Sequence, residues 1–326
     1  MIINKGNIKK WSVIGQRATF GLAALDIAQN NKNLIVITSD VSTSAGLDRF
    51  RKQFEEQYID VGIAEQNLIG VAAGLSSEGY DVITTTFSPF QILRCCEQIK
   101  VNLSYMNNKV IMIGLASGIA LGTLGYTHCS IEDISIARSI PNLEVVCPSD
   151  SLETIKALEA SIKHNKSTYI RLTGESNCPI VYEKNYRFKI GKAINIINHK
   201  NPELTIIANG SMVGHSVEAS NYLKTQGINA DVINMHTVTS LDKKVLDKVS
   251  KKNKLIVTVE EHSIVGGLFS ATSEYYLKKN SKVNICPIGH PHAYGKGGEY
   301  NYLLHKYGLN AKGIRLKIIK IIKERN

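Results

Sequence analysis

The sequence predicts an α/β protein of two domains, each a mostly parallel sheet covered by helices. Three observations lead there. Short β-rich apolar runs alternate with segments of helical spacing along nearly the whole chain. The alternation breaks once, over residues 176–190, and then restarts. The 326 residues are enough for two ordinary cores.

In chain order, RATFGLAALDIAQN (17–30) has helical spacing and precedes the apolar run LIVITSD (34–40). Residues 58–90 read as a short strand, a turn at Gly62, a helix starting near Glu65, and a strand, DVITTTF, ending at Phe87. Small residues on that helix, Gly70, Ala73 and Gly74, would admit a close neighbour. KVIMIGLA (109–116) and LEVVCPSD (143–150) read as further buried strands. SLETIKALEASIKH (151–164) reads as a helix, with Ser149-Asp150 as its N-cap. The stretch SNCPIVYEKNYRFKIG has a proline, many polar residues and no sustained period, as a linker should. Strands resume with LTIIANG (204–210), ADVINM (230–235), KLIVTVEE (254–261) and KVNICPIG (282–289). A first domain is expected at 8–180 and a second at 187–326. The runs are continuous rather than alternating, as for parallel strands buried on both faces.

Hydrophobic residues at 43% and charged residues at 21% give the balance of a soluble globular protein. No stretch approaches the roughly 18 apolar residues of a membrane span. The opening MIINKGNIKKW turns polar before a signal-peptide core could form. The six cysteines (95, 96, 129, 147, 178 and 286) include no CxxC pair, and reduced thiols in a cytoplasmic protein are expected. The net charge of +11 is concentrated in KKVLDKVSKKNK and the tail LKIIKIIKERN. Neither carries interleaved aromatics or a nucleic-acid module, so a basic surface and a solvated terminal helix are expected, with no nucleic-acid partner. A basic face could still serve anionic substrates or an acidic partner.

Three segments carry candidate chemistry: GIAEQNLIGVAAGL (62–75), TFSPFQILRCCEQIK (86–100) and GYTHCSIEDISIARSIPNLEVVCPSD (125–150). Taken singly, Glu65 is an ordinary first-turn carboxylate favoured by the helix dipole. Phe87 and Phe90 are an aromatic packing pair, and His128 is a lone histidine. In this order, however, the three segments resemble the transketolase family of thiamine diphosphate enzymes.

That resemblance implies roles. Glu65 would hydrogen-bond N1′ of the cofactor's aminopyrimidine and so promote removal of the thiazolium C2 proton. Phe87 and Phe90 would flank the pyrimidine, with Phe90 stacked on it. His128 would face the substrate and transfer protons. Glu132 and Asp133 would cap a helix or contact a subunit. Arg17 and Ser44 match positions that contact an anionic substrate group, and Asp40 ends its strand as the family's cofactor-side aspartate does. The runs TIIANGSMVGHSVEAS, VTVEEHSIVGGLFSA and PIGHPHAYGKGGEYNYLLHKYGL look like the family's C-terminal domain, which mainly builds the dimer. The match thus runs from about residue 10 to 315 and pairs a pyrimidine-binding domain with a transketolase C-terminal domain. The implied reaction is transfer of a two-carbon ketol unit from a ketose to an aldehyde acceptor.

The chain also departs from the family pattern. Ala116, Leu124 and Gly174 stand where a phosphate-binding histidine, a hydroxyl-reading aspartate and an arginine are usual. An atypical sugar donor (deoxy, amino or nucleotide-linked) is therefore expected. No Gly-Asp-Gly motif is present, so the oxygen ligands for Mg²⁺ must come from elsewhere. The EQIK ending is similar to stand-alone C-terminal subunits. Together these imply an N-terminal, diphosphate-binding partner chain and an α2β2 assembly. Three rivals are a 2-oxo acid dehydrogenase E1 β subunit, which shares Gly-Ile-Ala-Glu-Gln, deoxyxylulose phosphate synthase activity, and a non-catalytic partner subunit. The Thr-His-x-x-Ile-Glu-Asp pattern and the last domain argue against the first. The third has no need of Glu65.

Overall fold

In the computed structural model, which describes residues 1–173, 176–252 and 255–325, the apolar runs become two separate sheets. The first contains β1 (Leu34–Thr38), β2 (Tyr58–Asp60), β3 (Asp81–Phe87), β4 (Val110–Leu115), β5 (Leu143–Val146) and β6 (Ser167–Arg171). Its order is β2-β1-β3-β4-β6-β5, and every pairing is parallel. The second contains β7 (Ile194–Ile197), β8 (Leu204–Ala208), β9 (Ala230–Asn234), β10 (Leu255–Ser263) and β11 (Asn284–His290). Its order is β11-β10-β8-β9-β7, parallel except for the antiparallel edge strand β7.

The helices around the first sheet are α1 (Lys5–Ala28), α2 (Asp48–Gln53), α3 (Glu65–Ser77), α4 (Ser88–Ile92), α5 (Cys96–Gln98), α6 (Asp133–Ser139) and α7 (Ser151–Ile162). Around the second are α8 (Met212–Lys224), α9 (Lys243–Lys252), α10 (Leu268–Lys278), α11 (Tyr300–Lys306) and α12 (Ala311–Lys323). Both faces of the first sheet are covered. On one, Phe20 and Ala24 of α1 and Leu158 of α7 pack with Val36 and Ile113. On the other, Leu68, Ile69 and Ala72 of α3 pack with Ile37, Val82 and Met112. The latter core continues into the second domain through Ile207, Ile233, Met235 and Leu246. This double coverage is why β1 and β4 are buried at every residue and read as unbroken apolar runs.

Several expectations are refined. The first helix begins at Lys5, not at residue 17, and breaks at Gly15 (φ 79°, ψ 175°). Its polar first half hid two buried anchors, Ile8 and Trp11. Strand β6 is buried throughout although its sequence, STYIR, is mostly polar. Its Arg171 donates from Nε to Asp133 Oδ2 at 2.8 Å, and Tyr169 donates to the same oxygen at 2.7 Å. A charge buried this deeply persists only with such partners. Asp133 is thus an interior ion-pair member and not a cap. Glu132 makes no side-chain cap bond. At α7 the expected cap is confirmed at Asp150, which accepts from the Glu153 N–H at 2.8 Å. Gly70 and Gly74 face open space in this chain, so the close neighbour expected there is not within it. The basic tail forms α12, and it is not simply solvated: Ile314 and Ile318 are buried in the second core. All six cysteines are free thiols. Among the described residues, no helix is long and apolar enough to cross a membrane.

Candidate active site

The strand order of the first sheet reverses between β1 and β3, because β1 leads outward to β2 and β2 leads back across to β3. Open parallel sheets bind ligands at the carboxyl ends of strands flanking such a switch point. Glu65 opens α3 just after β2, Phe87 ends β3, and His128 lies on the loop that follows β4.

These side chains meet. Glu65 is 4% exposed, and its Oε2 accepts from Arg94 Nη1 at 2.8 Å. The Arg94 guanidinium carbon lies 4.2 Å from the centre of the Phe90 ring. Phe90 meets Phe87 edge-on with ring centroids 6.4 Å apart, and meets the His128 ring at 5.3 Å. Thr127 Oγ1 is 3.0 Å from His128 Nδ1. Four of the expected residues are therefore brought together, with Phe90 at the centre. The nearby Cys95 thiol is pushed up to about 12 by burial and by the Glu65 charge, which leaves it protonated.

Asp60 ties the strand ends together. Its Oδ1 accepts the N–H groups of Asp40 at 3.0 Å and Gly62 at 2.9 Å, and its Oδ2 accepts Thr38 Oγ1 at 2.9 Å. Burial alone would raise this carboxyl, but those bonds and the Tyr58 hydroxyl hold it below the ordinary carboxylate value. Ser39 Oγ then donates to Gly62 O at 2.6 Å and accepts from the Ala64 N–H at 3.1 Å, which sets the residue before Glu65. Asp40 contributes its backbone to this knot, while its side chain is exposed at a positive φ of 56°.

Arg17 and Ser44 lie on neighbouring segments apart from this cluster. Arg17 follows the break in α1, and the loop bearing Ser44 packs onto that helix. A Cβ on Gly46 would lie 2.9 Å from Ala18 Cα and 3.4 Å from the Arg17 carbonyl oxygen. Of the departures, Ala116 is fully buried at a φ of 52°, and Leu124 is 57% exposed on the His128 loop. Gly174 falls outside the described residues.

Sequence reading missed Arg94. The available signal was only its closeness to Phe90, four residues on and just past the end of α4. It also missed Glu261, His290 and Tyr307, which touch the His128 loop from more than a hundred residues away. No local pattern marks them.

A buried carboxylate facing a planar cation and an aromatic face suits an aminopyrimidine, which offers a flat ring and an edge donor. The donor set therefore fits the pyrimidine half of thiamine diphosphate. Among the described residues, no three His, Cys, Asp or Glu side chains are grouped to hold a metal ion.

Comparison with known proteins agrees. Residues 13–178 match the transketolase pyrimidine-binding domain and residues 192–314 the transketolase C-terminal domain. An apulose-4-phosphate transketolase subunit of Phocaeicola vulgatus is 33% identical over 96% of this chain and 99% of its own. A 6-deoxy-6-sulfo-D-fructose transketolase subunit of a Clostridium species is 36% identical over 91% of each chain. A split-gene transketolase solved as an inactive β4 tetramer superposes with a TM-score of 0.86, at 32% identity over 94% of this chain and 98% of that one. The chain belongs to the transketolase family of thiamine diphosphate-dependent transferases, of which it makes up the pyrimidine-binding and C-terminal portion.

Proposed function

We propose that this chain is the β half of a cytoplasmic, split transketolase that works as an α2β2 heterotetramer on an atypical ketose. The single observation that carries the reading is the Glu65–Arg94–Phe90–His128 cluster at the switch point of the first sheet. The partner chain would supply the diphosphate site and the oxygen ligands for Mg²⁺. The open face of α3 at Gly70 and Gly74 supports close approach of another subunit. The inactive β4 tetramer of the structural relative supports a requirement for a second chain.

When bound, thiamine diphosphate supplies the nucleophilic carbon and electron sink for moving a two-carbon ketol unit between a ketose and an aldehyde. Within this chain, Glu65 holds the pyrimidine edge and exchanges its proton, and Phe90 bears the ring face with Phe87 packed behind it. His128 takes up or gives back a substrate hydroxyl proton. Arg17 and Ser44 contact an anionic group of the sugar, and Asp40 belongs to the cofactor side through its backbone. With Ala116 and Leu124 replacing polar contacts, the pocket favours a deoxy, amino, nucleotide-linked or otherwise unusual sugar. The substrates named for the two relatives, an apulose phosphate and a sulfo-sugar, support this.

The test is ketol transfer by the two chains together, with Mg²⁺ and thiamine diphosphate, over a panel of phosphorylated and unphosphorylated ketoses. Turnover that requires both chains and is lost in Glu65→Ala supports the reading. Xylulose 5-phosphate emerging as the best donor would remove the atypical-sugar part. Decarboxylation of a 2-oxo acid without ketol transfer would remove the whole.

A further inference from the structure

His128 stands on a loop spanning residues 118–130 whose ends are tied to each other. The Gly118 N–H donates to Ser130 O at 3.1 Å, and the Ser130 N–H donates to Gly118 O at 2.8 Å. From the first sheet, Arg171 Nη2 also donates to Ser130 O at 2.9 Å, and the further anchors come from the second domain. Glu261 of β10 is buried, and its Oε1 accepts the Ile119 N–H at 2.9 Å. Its Oε2 is held by Ser211 Oγ at 2.6 Å and by the Tyr300 hydroxyl at 2.7 Å. Farther along, Gly122 O accepts the Gly298 N–H at 2.9 Å.

The third anchor lies two residues before His128. The Tyr126 hydroxyl is 2.8 Å from His290 Nε2 and 2.8 Å from the Tyr307 hydroxyl. The direction of this chain of bonds follows from its far end. His290 Nδ1 is 2.8 Å from Pro291 O, and a carbonyl can only accept, so Nδ1 carries the proton. Burial holds His290 below its usual pKa, with Lys306 and Lys317 reinforcing this against the Pro291 carbonyl, so the ring is neutral near pH 7. Its Nε2 therefore accepts from Tyr126, whose oxygen in turn accepts from Tyr307.

Tyr126 and Thr127 are the corner residues of a turn closed by the His128 N–H donating to Gly125 O at 3.1 Å. Holding one corner side chain fixes the orientation of such a turn. We propose that Tyr126, His290 and Tyr307 are positioning residues through which the second domain aims His128 at the Phe90 side of the active site. This rests on the reading above that His128 acts on the substrate. It gives the C-terminal domain a role in the chemistry in addition to assembly.

Tyr126→Phe tests it, because the ring stays packed and only the hydroxyl is lost; Tyr307→Phe is the second variant. In the complex with the partner chain, each is expected to lower kcat about tenfold. Cofactor affinity should be unchanged, and the thermal midpoint should fall by no more than the loss of that hydroxyl's hydrogen bonds requires. In a His128→Ala background, Tyr126→Phe should cost nothing further, since the two act as a unit. In the full chain alone, amide hydrogen exchange over residues 118–130 should quicken several-fold on losing the hydroxyl. An additive loss, or a silent Tyr126→Phe beside an impaired His128→Ala, overturns the inference and spares the reading of His128. A His128→Ala enzyme turning over like wild type removes that reading, and the inference with it.

Discussion

The Arg94 guanidinium donates to the Glu65 carboxylate at 2.8 Å while lying 4.2 Å from the centre of the Phe90 ring. A flat cation gripped at its edge by a carboxylate and on its face by an aromatic makes the same two contacts an aminopyrimidine would need. On the proposed reading, Arg94 swings away when the cofactor enters, and its side chain, 45% exposed, has room to do so. Arg94→Ala is expected to lower the apparent Kd of the assembled enzyme for thiamine diphosphate about threefold or more, because less of the apo population is closed. A fluorescence titration reads this, and weaker binding would mean that Arg94 assists the cofactor. Because Arg94 is half-exposed, the pair should contribute only on the order of 1 kcal/mol to the stability of the chain alone, although Glu65 is buried.

Glu65→Gln preserves shape and can still accept from Arg94, but it cannot exchange a proton with the pyrimidine. Turnover in the complex should fall by about 10²–10⁴, the range for a lost general acid–base group. The circular dichroism spectrum and unfolding midpoint should stay close to wild type. Retention of most of the activity would count against Glu65 as the cofactor-activating residue.

Gly118 combines a positive φ of 68° with a position where a Cβ would lie 2.2 Å from Glu261 Oε1. Gly118→Ala should therefore displace the buried carboxylate and lower stability by about 1–3 kcal/mol. Chemical denaturation measures it. A neutral result would show that the 118–130 loop is not clamped as described.

Gly74, with open space where its Cβ would go, predicts the opposite. In the isolated chain, Gly74→Ala should raise stability by about 0.5–1 kcal/mol through helix propensity. In the complex the added methyl should weaken assembly with the partner chain, as read by analytical ultracentrifugation. Unchanged assembly would place the partner on another face.

His236 and His262 are both interior, and burial lowers each to about 4 from the usual 6.5, against the pull of Asp242 and Asp133 respectively. A histidine whose folded pKa is depressed favours folding above the unfolded value, and this is lost as pH falls from about 6.5 toward about 4. Each should contribute on the order of 2 kcal/mol of destabilisation between pH 7 and pH 5. Raised carboxyls such as Asp150 and Glu260, at about 7 through burial, act in the other direction. The clean measure is therefore the difference between wild type and His236→Gln in urea midpoints at the two pH values. An equal drop in both proteins would refute the assignment.

Elements buried on both faces were legible, because burial demands apolar side chains: β1, β3, β4, β8 and β9 lie within their apolar runs. Elements whose burial depends on a partner were not. Strand β6 hides Arg171 because Asp133 and the carbonyls of Ser130 and Glu261, all distant in sequence, take up its charge and donors. The first half of α1 looks polar because only Ile8, Trp11 and a few neighbours face inward.

The candidate site divides in the same way. The candidates Glu65, Phe90 and His128 were singled out along the chain by the resemblance of their segments to the family, and the strand ends that carry them by short-range pattern. Folding in three dimensions was needed to put Arg94 between Glu65 and Phe90. It was needed as well to bring Tyr126 to His290 and Tyr307, and to clamp the loop bearing His128 with Glu261. The difference is one of range. A hydrogen bond across more than a hundred residues requires only one donor and one acceptor in the right place, and it leaves no periodicity along the chain.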